Sequence, residues 1–345
     1  MKAFQLTALR QMELREVPDP QIRSPHDVLI RMKAVGVCGS DIHYYLTGRI
    51  GSQVVKYPFT VGHEGAGEVV AVGEAVTRLQ PGDAVALDPA MPCGECDQCL
   101  SGRPHTCRNL KFLGTPGQAE GCLSEYVVLP EHSCFPLREG SSYDWGAFSE
   151  PLSIGVYAVR LAEQVKGKKI AILGSGPIGM SVLLPALAYG AEAVYVTDKI
   201  DARLTIAEKS GAAWTGNPDK EDVVAGILRE EPPGMDMVFE CCGQQEAVDQ
   251  AVQLLKPGGR IMIIGIPEQD TWTFPVDELR HKEITIRNVR RQNGCVQEAL
   301  DLIETGRVDV DPLITHHYSF DQTPEAFELV AGYRDGVMKA IINFE

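Results

Sequence analysis

Three residues in the first fifth of the chain have the types that hold a reactive metal. Cys38 sits in Gly36-Val37-Cys38-Gly39-Ser40-Asp41-Ile42-His43, and His63 and Glu64 lie in Val61-Gly62-His63-Glu64-Gly65. A thiolate, an imidazole and a carboxylate supply three ligands and leave a fourth position open, the layout of a catalytic zinc. One thiolate and one carboxylate also balance the charge of Zn²⁺, so the ion can still stabilise a further anionic oxygen. Taken singly, Cys38 and His63 would more often be buried structural residues; the flanking glycines and a second cluster favour metal. That cluster is Cys93, Cys96, Cys99 and Cys107, a C-x2-C-x2-C-x7-C run punctuated by Pro92, Gly94, Gly102 and Pro104. Four thiolates close a tetrahedron around zinc, so this site should hold a loop and perform no chemistry. The short gaps make a relaxed set of disulfides awkward, because bridged residues need particular separations and directions.

A third motif points to a dinucleotide. Gly174-Ser175-Gly176-Pro177-Ile178-Gly179 is a G-x-G-x-x-G loop between a predicted strand, 169–173, and a predicted helix, 178–189. The pattern is weak alone, but this context is the one its mechanism demands. Gly174 permits the tight turn, Gly176 lets the backbone approach a diphosphate, and Gly179 lets helix pack on strand. The N–H groups opening the helix then face the phosphate charge. Asp198 follows nineteen residues after Gly179, where a carboxylate accepts from the ribose hydroxyls and repels a 2′-phosphate. NAD is therefore expected over NADP, a preference softened by Lys199 and Arg203.

The elements needed to position these groups are legible as two textures. Up to about residue 150, short β-type runs alternate with Gly and Pro, as at 28–35, 67–73, 84–87 and 124–129, which suggests a small folded-over β barrel. From Pro151 the pattern becomes strands (169–173, 193–197, 237–240, 260–264) alternating with helices such as 178–189 and 202–210. Repeated βα units imply a parallel sheet covered on both faces, an α/β architecture. Pro185 should kink its helix or mark an irregularity. The chain ends in a strand-like run, 339–344.

Composition narrows the partners. With 345 residues and 44% hydrophobic content the chain can build two cored domains. Lys and Arg total 32 against 47 Asp and Glu, a net charge of −15 that disfavours nucleic acid. No apolar run is long enough for a membrane span, and Met1–Arg10 lacks a signal-peptide core, so a cytoplasmic protein is expected. Ten cysteines then read as metal ligands and buried thiols.

Along nearly its whole length the chain resembles the zinc-dependent medium-chain alcohol/polyol dehydrogenases. The resemblance is carried by Gly62-His63-Glu64-Gly65-Ala66-Gly67-Glu68-Val69, the four cysteines, Glu150-Pro151 and the Gly174–Gly179 loop. Within that family it is most similar to sorbitol (L-iditol)/xylitol dehydrogenases, through Cys38 to Tyr45, Arg49 to Pro58 and Pro312 to His316. The resemblance implies a GroES-like β-barrel catalytic domain, residues 1–152 and 291–345, with a Rossmann domain, 153–290, inserted. It implies two zinc ions and NAD, a small polyol or ketose substrate, and a homotetramer or homodimer.

By position, it makes Cys38, His63 and Glu64 the catalytic zinc residues and Glu150 an exchangeable ligand or a group behind the ligands. Ser40 and His43 would relay a proton, and Tyr44 and Arg291 would contact the substrate. Gly174, Gly176, Pro177, Ile178, Gly179, Asp198, Arg203, Ile264, Gly265, Ile266, Val289, Arg290 and Arg291 would contact the cofactor. The implied reaction is oxidation of a secondary hydroxyl to a ketose. One departure is Arg291-Gln292, where polyol dehydrogenases carry Arg-Tyr; it leaves the polyol open. L-Threonine or a hexitol phosphate are alternative substrates, because Arg49 and Arg291 could bind an anion. A non-enzymatic zinc protein is a remote alternative, and a cofactor loop would have no purpose there.

Overall fold

The computed structural model describes residues 1–267 and 269–345. They form two compact units. The first comprises Met1–Glu150, Ala299–Glu304 and Ile314–Glu345, and the second Pro151–Glu298 with Thr305–Leu313. Residues 151 to 152, 291 to 298 and 305 to 313, expected with the catalytic half, cluster with the second unit instead. Local contacts explain this correction. Gln292 and Cys295 are buried, the Tyr189 hydroxyl donates to Glu298 Oε1 at 2.5 Å, and Arg307 Nη2 donates to the Ala188 carbonyl at 3.0 Å.

The first unit is built on a seven-stranded sheet. Cys134–Pro136, Ala84–Leu87, Glu64–Val72, Asp27–Gly36, Lys339–Asn343 and Ile314–Ser319 lie side by side in that order, and Tyr126–Pro130 also pairs with Asp27–Gly36. Two registers bring distant parts of the chain to one point. Glu64 lies opposite Gly36 from one neighbouring strand, and Ile341 lies opposite Gly36 from the other. Gly36 is required: a Cβ there would stand 2.2 Å from Glu64 Oε2. The sheet's alternating apolar residues, among them Val28, Ile30, Met32, Val69, Val85 and Leu87, form the core with Phe4, Leu6 and Phe327. The helix Gly39–Thr47 is anchored to that core by Ile42 and Tyr45. The Tyr45 ring meets Phe327 edge-on at 5.5 Å, and its hydroxyl donates to Glu328 Oε1 at 2.7 Å.

The second unit is a six-stranded parallel sheet. Across it the order is Trp214–Gly216, Ala193–Thr197, Lys169–Leu173, Met235–Glu240, Leu255–Ile263, Thr285–Asn288. In chain order this is 3-2-1-4-5-6, the doubly wound arrangement whose direction reverses beside the first strand. The inner strands Ala193–Thr197, Lys169–Leu173 and Met235–Glu240 are largely buried apolar runs, as expected where helices cover both faces, whereas Thr285–Asn288 at the edge is mostly exposed. The helix Pro177–Ala188 opens at the glycine loop and continues through Pro185. Proline lacks the N–H that would reach the Ser181 carbonyl. Gly155, on the helix Tyr143–Leu161, packs against that carbonyl so closely that a Cβ would lie 1.7 Å from it. The irregularity expected at Pro185 therefore takes the form of a close helix–helix contact. Among the described residues, no helix is long and apolar enough to cross a membrane.

Gly155→Ala should lower the melting temperature, since the backbone contact leaves no room for a methyl group and overpacking costs about 1–3 kcal/mol or more. Thermal denaturation checks this, and an unchanged transition would show that the two helices can separate freely.

Candidate active site

Cys38 caps the N-terminus of the helix Gly39–Thr47, and His63 and Glu64 open the strand Glu64–Val72. One ligand atom from each of the three lies within 4.8 Å of the others. Ser40 Oγ stands beside this group, 3.3 Å from Cys38 Sγ and 3.4 Å from His63 Nε2. His43 and Tyr44 follow one turn later on the same helix face. Tyr44 is buried, and its hydroxyl donates to Gln53 Oε1 at 3.1 Å.

Two residues that sequence reasoning missed organise the cluster. Asp41 is wholly buried. Its Oδ1 lies 3.3 Å from His63 Nδ1 and accepts the Gly62 N–H at 3.0 Å, while Oδ2 accepts the Cys38 N–H at 3.2 Å. A carboxylate behind a histidine fixes the tautomer and turns Nε2 toward a metal. Lys339, from the last strand, is 2% exposed and donates to Glu64 Oε1 at 2.8 Å, Oε2 at 2.6 Å and the Val37 carbonyl at 3.2 Å. The signals are present in the chain, as a carboxylate three residues after the cysteine and a lysine heading an apolar strand.

The electrostatics reflect a concentration of acidic groups. Burial alone would depress the His63 pKa, yet Asp41 and Cys38 raise it well above its ordinary value. Burial likewise opposes the charge on Lys339, and Glu64 and Cys38 restore it. Glu150 is buried on the helix Tyr143–Leu161. Burial pushes its carboxyl up to about 7, with Glu64 and Asp88 adding to the rise and His63 and Lys339 opposing it. Glu150 lies outside the three-residue metal cluster.

The four remaining ligands converge as well. Cys96 Sγ is 3.6 Å from Cys99 Sγ and 3.8 Å from Cys107 Sγ, and Cys107 Sγ is 3.4 Å from Cys93 Sγ. All are free thiols. A tetrahedron with zinc–sulfur bonds of about 2.3 Å has edges of about 3.8 Å, so the spacing fits zinc and is far too long for disulfides. Backbone N–H groups, that of Arg108 foremost, hold the Cys96 thiol down at about 6. Burial and then the other sulfurs push Cys99 up to about 12. Four thiolates cannot coexist here without a cation.

The second unit assembles the dinucleotide motif. Gly174 has φ +98°, and a Cβ on Gly179 would lie 1.9 Å from the Gly174 carbonyl oxygen. Both Asp198 oxygens are oriented by backbone: Oδ2 accepts the Ser175 N–H and Oδ1 the Ile200 N–H, each at 2.8 Å. The buried Arg203 guanidinium lies against Gly176. Ile264, Gly265 and Ile266 follow the Leu255–Ile263 strand, and Val289, Arg290 and Arg291 follow Thr285–Asn288. The Val289 N–H donates to the Ile263 carbonyl at 2.8 Å, and Arg291 has φ +52°. Gln292, which stands in place of an aromatic residue, is buried and accepts the Cys295 N–H at 2.8 Å.

Comparison with known proteins decides the family. Residues 24–139 match the alcohol dehydrogenase GroES-like domain, and residues 177–305 match the zinc-binding dehydrogenase domain. The chain belongs to the zinc-dependent medium-chain alcohol and polyol dehydrogenases. It is 35% identical to a sorbitol dehydrogenase of Bacillus subtilis, over 99% of this chain and 97% of that protein. It is 36% identical to a probable D-xylulose reductase A of Aspergillus clavatus, over 96% and 97%. A zinc-binding dehydrogenase of Sinorhizobium meliloti, solved with NADP bound, superposes with a TM-score of 0.91 at 32% identity, covering 99% of this chain and 98% of that one. The GroES-like and Rossmann folds expected from the sequence are those of this family, as are zinc and a nicotinamide dinucleotide as cofactors.

Lys339→Met should destabilise the protein by about 3–5 kcal/mol, because it leaves the Glu64 charge buried without its partner. Denaturant unfolding monitored by circular dichroism tests this, and a loss below about 1 kcal/mol would mean that Glu64 finds another cation or water.

Proposed function

We propose that the protein oxidises a secondary hydroxyl of a small polyol of the sorbitol, xylitol or L-iditol type to a ketose, with NAD as hydride acceptor. The observation that carries the chemistry is the position of Ser40, whose hydroxyl touches both Cys38 and His63. When bound, zinc lowers the pKa of a hydroxyl and the nicotinamide ring accepts a hydride. Cys38, His63 and Glu64 would hold that ion, with Glu150 nearby to exchange with them, and Cys93, Cys96, Cys99 and Cys107 would hold a second. Ser40 Oγ takes the proton of the substrate hydroxyl, and His43, one turn along, passes it toward water. Asp41 keeps His63 in one tautomer throughout. Lys339 neutralises Glu64, so that an ion held there would keep net positive charge toward a substrate oxygen. Per turnover, one alcohol and NAD⁺ give one ketone, NADH and a proton.

The substrate class rests on similarity to the sorbitol and D-xylulose enzymes, supported by polar groups beside Ser40. Tyr44 and Gln53 form a hydrogen-bonded pair on the helix and the adjoining hairpin, suited to a hydroxyl-rich molecule. Arg291 would add a contact. The preference for NAD over NADP rests on Asp198, whose fixed carboxylate meets the ribose diol and repels a 2′-phosphate. Lys199 does not offset that charge, since it is engaged by Asp219 at 3.1 Å and Glu246 at 3.5 Å.

The test is NADH formation on a panel of sorbitol, xylitol, L-threonine, hexitol phosphates and ethanol. Turnover of the free polyols is expected; turnover of threonine or a phosphate alone would reassign the substrate and leave the family intact. Ser40→Ala should lower kcat by about 100-fold or more with unchanged NAD affinity.

Asp198→Ala should shift the ratio of kcat/KM values toward NADP by about tenfold, as expected for removing one repulsive charge. A wild-type enzyme already faster with NADP would overturn the NAD assignment.

A further inference from the structure

The second unit buries one carboxylate that the proposed chemistry does not use. Glu240 ends the Met235–Glu240 strand and has no exposed surface. Its Oε1 accepts the N–H groups of Cys242 at 2.8 Å and Gly243 at 2.6 Å, and the Cys242 thiol at 3.2 Å. Its main-chain carbonyl accepts the N–H groups of Ile264 at 2.9 Å and Gly265 at 3.1 Å. Oε2 is buried without a hydrogen-bond partner, and a Cβ on Gly265 would lie 2.6 Å from it. Among the described residues no Lys, Arg or His lies within ion-pair distance of this carboxylate. The adjacent Cys241 and Cys242 thiols remain protonated, raised first by burial and then by Glu240. The result is a lone buried carboxylate at the ends of two neighbouring strands.

Its place relative to a dinucleotide is set by the sheet order, given the cofactor reading above. The diphosphate belongs at the start of the Pro177–Ala188 helix and the adenosine ribose at Asp198, on the Ala193–Thr197 side of the first strand. The nicotinamide half must then extend the other way, over the ends of Met235–Glu240 and Leu255–Ile263. NAD⁺ and NADH differ there by one positive charge on the ring. We propose that the buried charge of Glu240 strengthens binding of the oxidised, cationic form of the dinucleotide relative to the reduced form. Glu240 is in this sense a selectivity residue that acts through the field beneath the ring, and the rigid turns it ties together hold that charge in place.

The experiment measures dissociation constants of NAD⁺ and NADH for the full-length wild type and Glu240→Gln, by calorimetry and by NADH fluorescence. Glutamine keeps the size and one accepting oxygen for Cys242 and Gly243, removes the charge, and puts an amide NH2 where Oε2 stood. NAD⁺ should bind about tenfold more weakly and NADH change by less than about twofold, the scale of one charge–charge interaction near 10 Å at intermediate dielectric. Equal weakening of both forms would reduce Glu240 to a loop anchor, and no change in either would remove any role; each result overturns the proposal. A second arm needs no variant. The wild type is titrated with the benzamide analogue of NAD, in which carbon replaces the cationic ring nitrogen. It should bind about tenfold more weakly than NAD⁺, and equal or tighter binding overturns the proposal. A wild type that bound neither NAD⁺ nor NADH would instead overturn the dinucleotide reading, and this inference with it.

Discussion

Uncompensated negative charge is the constraint around which the first unit is built. Asp41, Glu64 and the Cys38 sulfur crowd one small volume, with Asp41 and Glu64 essentially inaccessible to water. Isolated buried carboxylates are very costly, so each must meet a cation or a set of donors. Asp41 meets His63 and two backbone N–H groups. Glu64 meets Lys339, which reaches it only because the C-terminal strand pairs with Asp27–Gly36 next to the strand that Glu64 begins. The return of the chain end to the middle of this sheet is therefore an electrostatic requirement as well as a packing one. The Cys38 sulfur and the Nε2 of His63 remain to be engaged, and a divalent cation would bind both.

The two metal clusters meet the same demand by opposite routes. At the cysteine loop all four candidate ligands carry potential negative charge and would fill every position, so a cation there would serve only to hold chain segments together. At Cys38 the chain supplies its own cation, Lys339, against one of the ligands. That would reduce the charge donated to a metal and preserve its appetite for an anionic oxygen. The proposed difference in function between the clusters thus rests on their surroundings more than on their ligand atoms.

Much of this is legible in the sequence where spacing is local. The cysteine run, the glycine loop between strand and helix, and the Cys38 and His63-Glu64 segments each declare themselves within a few residues. Asp41 is visible but easily passed over, since an aspartate three residues into a helix reads first as a capping group. Lys339 and Glu240 are harder, because their partners are set by strand order and register; Lys339 lies 275 residues from Glu64. The available clue is chemical rather than positional. A lysine opening Lys339-Ala340-Ile341-Ile342 and a glutamate closing Met237-Val238-Phe239-Glu240 are charges on runs that must be buried, and a buried charge always has a reason. The unit boundary near residue 300 is hidden because a short helix, Val296–Glu304, contributes its two ends to different units.

The departure at Gln292 illustrates why a motif position cannot be read alone. Its side-chain oxygen closes a turn by accepting the Cys295 N–H, and the residue is 8% exposed. A tyrosine there would carry its only side-chain oxygen at the far end of the ring and could not make this bond in the same geometry. The same logic holds for Asp198, both of whose oxygens are already oriented by the loop they serve. Asp198, proposed to recognise the ribose, is thus held by the backbone before any ligand arrives, which would limit the entropy lost on binding and fix the direction of its carboxylate. Selectivity then depends on which groups the turns leave pointing outward, a property of the turn and its neighbours together.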